Sequence, residues 1–139
     1  MRRKNIVPSN PSPAKMNKLR TLIVEDHNFF RETLRESLQA SFPGITIEEA
    51  VNGAEALQRV NAFLPDLILM DIRLPGESGL GLTKRIKELY PDVTIFILTS
   101  YDTPECREAA SRYGADRFVP KDSLNRARLE ELIKSFFRI

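Results

Sequence analysis

Three acids, a pair of hydroxyls and one amine stand directly after short apolar runs in this chain. Glu25 and Asp26 follow Leu22-Ile23-Val24, and Asp71 follows Leu67-Ile68-Leu69-Met70. Thr99 and Ser100 follow Ile95-Phe96-Ile97-Leu98, and Lys121 follows Phe118-Val119-Pro120. If those runs are parallel strands, these groups meet outside the carboxyl ends of one sheet, where open α/β folds bind ligands. Carboxylates crowded there cannot stand alone. At about 5 Å and an effective dielectric of about 20, each pair repels by roughly 3 kcal/mol. Either one acid takes a proton or a cation joins the site. Hard oxygen ligands without His or Cys partners favour Mg²⁺, which often keeps waters and shares its shell with a phosphate. Lys121 adds a mobile positive charge and Thr99 a hydrogen-bond donor. A carboxylate nucleophile, charge neutralisation and oxygen-directed donors are the equipment of phosphoryl transfer.

The elements that must position these groups alternate from Leu19 onward. The runs ending at Val24, Met70 and Leu98 are continuously apolar, as strands buried on both faces of a covered parallel sheet are. Ile45-Thr46-Ile47-Glu48 alternates, and Arg117-Phe118-Val119-Pro120 ends in proline, so both suit sheet edges. Between them, Phe30/Leu34/Leu38, Leu82/Ile86/Leu89 and Leu129/Ile133/Phe136 step at helical spacing. Asn52 caps a helix through Ala54, Leu57 and Val60, and Thr103-Pro104 is a cap followed by proline at the first helical position. Cys106 shares a helical stripe with Ala109, Ala110 and Tyr113, which makes it a small buried hydrophobe. Five β-α units predict an open α/β sandwich, with no repeats and no second domain.

Composition agrees with a single globular domain. The chain has 139 residues, 42% hydrophobic and 29% charged, and a length that buries about two-thirds of its surface. One cysteine excludes a disulfide framework, and no apolar run approaches the roughly 18 residues of a membrane span. The expectation is a cytoplasmic protein. The net charge of +2 averages two unlike parts: residues 1–18 hold five basic residues and no acid, leaving 16 basic against 19 acidic residues and a net −3. With Pro8, Pro11 and Pro13, residues 1–18 read as a flexible basic leader on a domain at 19–139. The plainer alternative is a solvated or mis-started N-terminus, with Met16 the natural first residue.

Taken singly, each candidate is ordinary. Glu25 and Asp26 suit a solvated turn or a helix cap, Thr99 a strand end, Lys121 a surface, and His27 a turn. Gly76, Gly79 and Gly81 lack the Gly-Lys-Ser/Thr ending of a nucleotide-binding loop and serve to turn the backbone beside Asp71. Joint placement is what carries the functional reading. Val24-Glu25-Asp26, Met70-Asp71-Ile72-Arg73-Leu74-Pro75-Gly76, Leu98-Thr99-Ser100-Tyr101-Asp102, Gly114-Ala115-Asp116 and Phe118-Val119-Pro120-Lys121-Asp122 together resemble the receiver domain of bacterial two-component response regulators. The likeness runs from about Leu19 to Phe137. Tyr101-Asp102 and Lys121-Asp122 look most like receivers joined to LuxR-type helix-turn-helix domains.

The resemblance implies a CheY-like, flavodoxin-like (βα)5 sandwich with a five-stranded parallel sheet in the order 2-1-3-4-5. It implies that Asp71 accepts a phosphoryl group from a sensor histidine kinase or a phosphotransfer protein. Asp26 and Asp71 would bind Mg²⁺ directly, Glu25 through water, and the backbone carbonyl of Arg73 would complete the protein ligands. Thr99 would turn its hydroxyl to the new phosphoryl oxygen, Lys121 would pair with Asp71 or its phosphate, and Phe118 would rotate inward as the aromatic switch. Phe118 as plain core is the equal alternative. The changed face of the fourth helix, last strand and last helix would then recruit a protein partner or a second copy, with no direct DNA binding and no membrane.

Several residues depart from the family pattern. Phe118 replaces a frequent tyrosine, Asp122 stands where proline often follows the lysine, and Pro120 precedes it. Arg73 and Tyr101 flank the acceptor at positions that tune phosphoryl lifetime in the family, where they would obstruct the hydrolytic water. The expectation is a non-enzymatic phosphoacceptor with at most slow autodephosphorylation. One alternative is the receiver part of a longer DNA-binding regulator. A second is an aspartyl-phosphate phosphatase, which typically places another acid two residues after its nucleophile, where this chain has Arg73. A third is a phosphorylation-independent scaffold, which the intact acid set argues against.

Overall fold

Hydrophobic continuity decides where the strands fall. In the computed structural model, which describes residues 19–139, the chain runs β1 (Arg20–Val24), α1 (Asn28–Ser41), β2 (Thr46–Ala50), α2 (Gly53–Phe63) and β3 (Leu67–Met70). It continues through α3 (Gly79–Leu89), β4 (Thr94–Thr99), α4 (Pro104–Arg112), β5 (Arg117–Pro120) and α5 (Arg126–Phe137). The five strands form one parallel sheet in the order β2-β1-β3-β4-β5, as the resemblance implies. Every residue of β3 and β4 is buried, whereas β2 and β5 lie at the edges and are partly exposed. Pro120, opposite Thr99, ends an edge strand, where a missing N–H does little harm.

Strand alternation divides the core in two. Ile23, Leu67, Leu69, Phe96 and Leu98 pack with Leu34 and Leu38 of α1 and Leu129, Leu132 and Ile133 of α5. Leu22, Val24, Ile68, Met70, Ile95 and Ile97 point the other way, against Ala56 and Val60 of α2, Leu82 and Ile86 of α3, and Ala110 of α4. Phe96 meets the edge of Phe136 at 5.5 Å between centroids. Truncating a buried phenylalanine of this kind typically costs about 3–5 kcal/mol.

Helix starts follow their caps. The Asn52 side chain accepts the Glu55 N–H at 2.8 Å while Glu55 accepts the Val51 N–H at 3.0 Å, and Thr103 accepts the Cys106 N–H at 3.1 Å with Pro104 at the first helical position. His27 is the N-cap of α1, its Nδ1 accepting the Phe30 N–H at 3.3 Å, a more specific role than a turn residue.

Two expectations are corrected, and one element is new. Leu89 is 64% exposed, because α3 ends there and its apolar stripe stops at Ile86. Cys106 is only partly buried, packed at the margin of the second core layer. A short antiparallel hairpin, Arg73–Leu74 with Glu77–Ser78, turns the chain between β3 and α3, with Gly76 at φ +85°. The leader expected over residues 1–18, and Met16 as a start, lie outside the described residues. Leu19, the first described residue, is already buried.

Candidate functional site

Parallel register brings the acids together. Val24 stands opposite Met70 in the β1/β3 ladder, so the residues that follow leave the sheet side by side. The Asp71 N–H donates to the Val24 carbonyl and the Glu25 N–H to the Ala50 carbonyl, each at 3.0 Å, which fixes both backbones. Carboxylate oxygens of Glu25, Asp26 and Asp71 lie within 4.8 Å of one another. Glu25 and Asp71 are buried, and Asp26 is exposed, leaving one open side. Gly79 closes the back: a Cβ there would stand 1.9 Å from the Asp71 carbonyl oxygen, so the start of α3 can press this close only as glycine. Gly76 serves the hairpin turn, whereas a Cβ on Gly81 would meet open space, so Gly81 does not share the role expected of the three.

Lys121 enters from the end of β5. Its Nζ donates to Glu25 Oε1 at 2.9 Å, lies 3.4 Å from Asp71 Oδ1 and sits 4.3 Å from the centroid of the Phe30 ring. Glu25 Oε2 accepts the His27 N–H at 3.1 Å, so both Glu25 oxygens are engaged by the protein. Arg31 donates to the Glu25 backbone carbonyl at 2.9 Å while its charge pairs with Glu49 at 2.7 Å. His27, Phe30 and Arg31 are thus supporting residues that sequence reading did not assign to the site. The signal was their position at the start of the helix directly after the acid pair.

Electrostatics explain what the site can do. Burial, and secondly the charge of Glu25, push the Asp71 carboxyl up to about 6, against the opposing pull of Lys121. Three carboxylates share one ammonium, which leaves two negative charges over. An all-oxygen carboxylate set with a surplus of that size and one exposed ligand fits Mg²⁺.

Thr99 and Phe118 lie on the neighbouring strands. The Thr99 side chain is buried, and its Oγ1 accepts the Tyr101 N–H at 2.9 Å. Phe118 pairs in register with Ile97 and is partly buried against the second core layer. Arg73 begins the hairpin, and its guanidinium lies 4.6 Å from the centroid of the Tyr101 ring. That contact joins the loops after β3 and β4, which flank Asp71. The structure therefore brings Glu25, Asp26, Asp71 and Lys121 into one cluster, places Arg73 two residues beyond Asp71, and sets Thr99 at the end of β4 and Phe118 within β5.

Known proteins resemble this chain in sequence and in fold. The family model for the response regulator receiver domain matches residues 21–134. The response regulator MprA of Mycobacterium ulcerans is 36% identical over 115 residues, covering 83% of this chain and 47% of that protein. The chain thus spans about half the length of the curated relatives it matches. Among solved structures, the CheY-like receiver domain protein of Methanospirillum hungatei superposes with a TM-score of 0.81 at 28% identity, covering 87% of this chain and 94% of that one. A LuxR-family two-component response regulator from an Aurantimonas species gives 0.79 at 29% identity, covering 87% and 86%. No helix among the described residues is long and apolar enough to cross a membrane.

Proposed function

From the premise that this chain belongs to the response regulator receiver family, we propose that it accepts a phosphoryl group on Asp71 from the phosphohistidine of a sensor kinase or phosphotransfer protein. The observation that carries this reading is the buried Asp71 carboxylate, flanked by Glu25 and Asp26 and paired with Lys121. An Asp71 carboxylate oxygen forms the new bond to phosphorus as the bond from phosphorus to the histidine nitrogen breaks, and that nitrogen keeps the electron pair. A carboxyl near 6 is ionised, and so nucleophilic, at neutral pH. Asp26, Asp71, Glu25 and the Arg73 carbonyl would hold Mg²⁺, which when bound offsets the charge on the transferring oxygens. Engagement of both Glu25 oxygens by Lys121 and His27 supports an indirect part for Glu25, through water.

The rest is conformational. Lys121, 3.4 Å from Asp71, pairs with a phosphoryl oxygen. The Thr99 hydroxyl exchanges the Tyr101 N–H for another, Phe118 turns inward, and the α4-β5-α5 face is remodelled for a protein partner or a second copy. Residues 19–139 are the receiver, and residues 1–18 a basic leader. The acyl phosphate is lost only slowly, and no external metabolite is turned over, in cytoplasmic signalling without direct DNA contact. A second reading makes this receiver one part of a longer DNA-binding regulator, since the relatives it matches are longer; the reading frame past the Ile139 codon distinguishes the two. The switch is tested by NMR with beryllium fluoride and Mg²⁺. Shifts at Thr99, Phe118 and the α4-β5-α5 face, absent in Asp71→Asn, are expected; an unmoved wild-type spectrum contradicts the proposal.

A further inference from the structure

Outside the acid pocket, one side chain touches both moving parts of the proposed switch. Arg107, on α4, reaches back to the loop after Thr99: its Nε donates to Asp102 Oδ1 at 2.5 Å and its Nη2 to Asp102 Oδ2 at 3.0 Å. The same guanidinium lies 4.8 Å from the centroid of the Phe118 ring. Asp102 is one residue from Tyr101, whose N–H holds the Thr99 hydroxyl. One planar cation therefore connects the Thr99 loop to the aromatic ring on β5. An ammonium can also sit over a ring, but the two-pronged carboxylate contact made at the same time needs the planar guanidinium fork.

We infer that Arg107 is a positioning residue that latches Phe118 to the Thr99 loop and so sets how readily the domain switches. The inference rests on the functional reading above. When Thr99 leaves the Tyr101 N–H for a phosphoryl oxygen, the loop that carries Asp102 is released from its present anchor. When Phe118 turns inward, its ring leaves the guanidinium. Both Arg107 contacts belong to the state described, so they favour it over the switched state, which is the differential interaction a two-state device requires. Arg107 also holds the Asp102 carboxyl below its ordinary range, so the pair stays charged at neutral pH. Arg107 and Asp102 are 49% and 42% exposed, so the latch biases the equilibrium without locking it. An exposed ion pair and an exposed cation–ring contact together correspond to a roughly two- to tenfold change in the switching equilibrium.

The test titrates beryllium fluoride, with Mg²⁺ present, into the full chain while the Phe118 ring resonances are followed by NMR. Arg107→Ala should half-saturate at roughly two- to tenfold lower beryllium fluoride than wild type. Its Phe118 resonances should already be displaced toward their saturated positions before addition. Arg107→Lys should fall between wild type and Arg107→Ala, because it keeps a charge for the ring and loses the planar fork for Asp102. Asp102→Asn, which leaves Arg107 in place, should shift the midpoint in the same direction and supplies the answer if Arg107→Ala does not fold. Variants that titrate at the wild-type midpoint with Phe118 unmoved overturn the latch and leave the functional reading intact. A wild type that gives no response overturns both.

Discussion

Replacing Asp71 by asparagine should stabilise the metal-free protein. Burial and the neighbouring Glu25 raise the folded carboxyl from 3.8 to about 6. Folding therefore favours the protonated form. The stability tied to that proton is fully present below about pH 4 and is lost as the pH rises to about 6. At about 1.4 kcal/mol for each tenfold change in proton affinity, the ionised carboxylate costs about 3 kcal/mol above pH 6. Hydration from the open Asp26 side and the lost Lys121 contact reduce the expected gain of Asp71→Asn to about 1–3 kcal/mol at pH 8. For a domain of this size that is roughly 4–12 °C in Tm. The assay is thermal and urea denaturation in EDTA across pH 4 to 8. The gap between variant and wild type should open from near zero at pH 4 and level off above pH 6. Added Mg²⁺ should narrow it by stabilising wild type through mass action. An asparagine variant less stable than wild type at pH 8, or a gap equally large at pH 4, would show that the buried Asp71 charge does not destabilise the fold.

Other changes test separate parts of the structure. Lys121→Ala should still accept a phosphoryl group but should not remodel the α4-β5-α5 face, so phosphorylated and unphosphorylated forms give matching NMR spectra there. Arg73→Ala removes the stack on Tyr101 and should shorten the aspartyl-phosphate half-life about two- to fivefold, read by the decay of labelled protein. Thr21 Oγ1 is fully buried with no hydrogen-bond partner among the described residues. Thr21→Val, which fills the same space without a stranded hydroxyl, should therefore raise stability by about 1 kcal/mol in urea denaturation.

The sheet was legible because strands buried on both faces are largely apolar, and Leu67–Met70 and Ile95–Leu98 are short continuous apolar runs of strand length. The acid cluster was legible because parallel strands all end on the same side, so whatever follows each run converges. Elsewhere the physical signal was weaker. Two-residue strands have no periodicity, and the Arg73–Leu74/Glu77–Ser78 hairpin left only Gly76 as a trace. Helical spacing extended the α3 stripe to Leu89, but spacing does not say where a helix runs out past the sheet. His27 caps α1 through a ring nitrogen, an acceptor less usual at that position than Ser, Thr, Asp or Asn. Phe30 beneath Lys121 and Arg107 against Phe118 are pairings between different elements, which no local pattern announces.

Everything proposed for this domain depends on Asp71 being the phosphoacceptor. Incubation with acetyl phosphate and Mg²⁺, followed by intact mass measurement and Phos-tag electrophoresis, tests it most directly. One added phosphoryl group is expected on the wild type, labile as an acyl phosphate, not taken up when Mg²⁺ is chelated beforehand and absent from Asp71→Ala. Labelling that persists in Asp71→Ala, or a wild type that takes up no phosphoryl group, would contradict it.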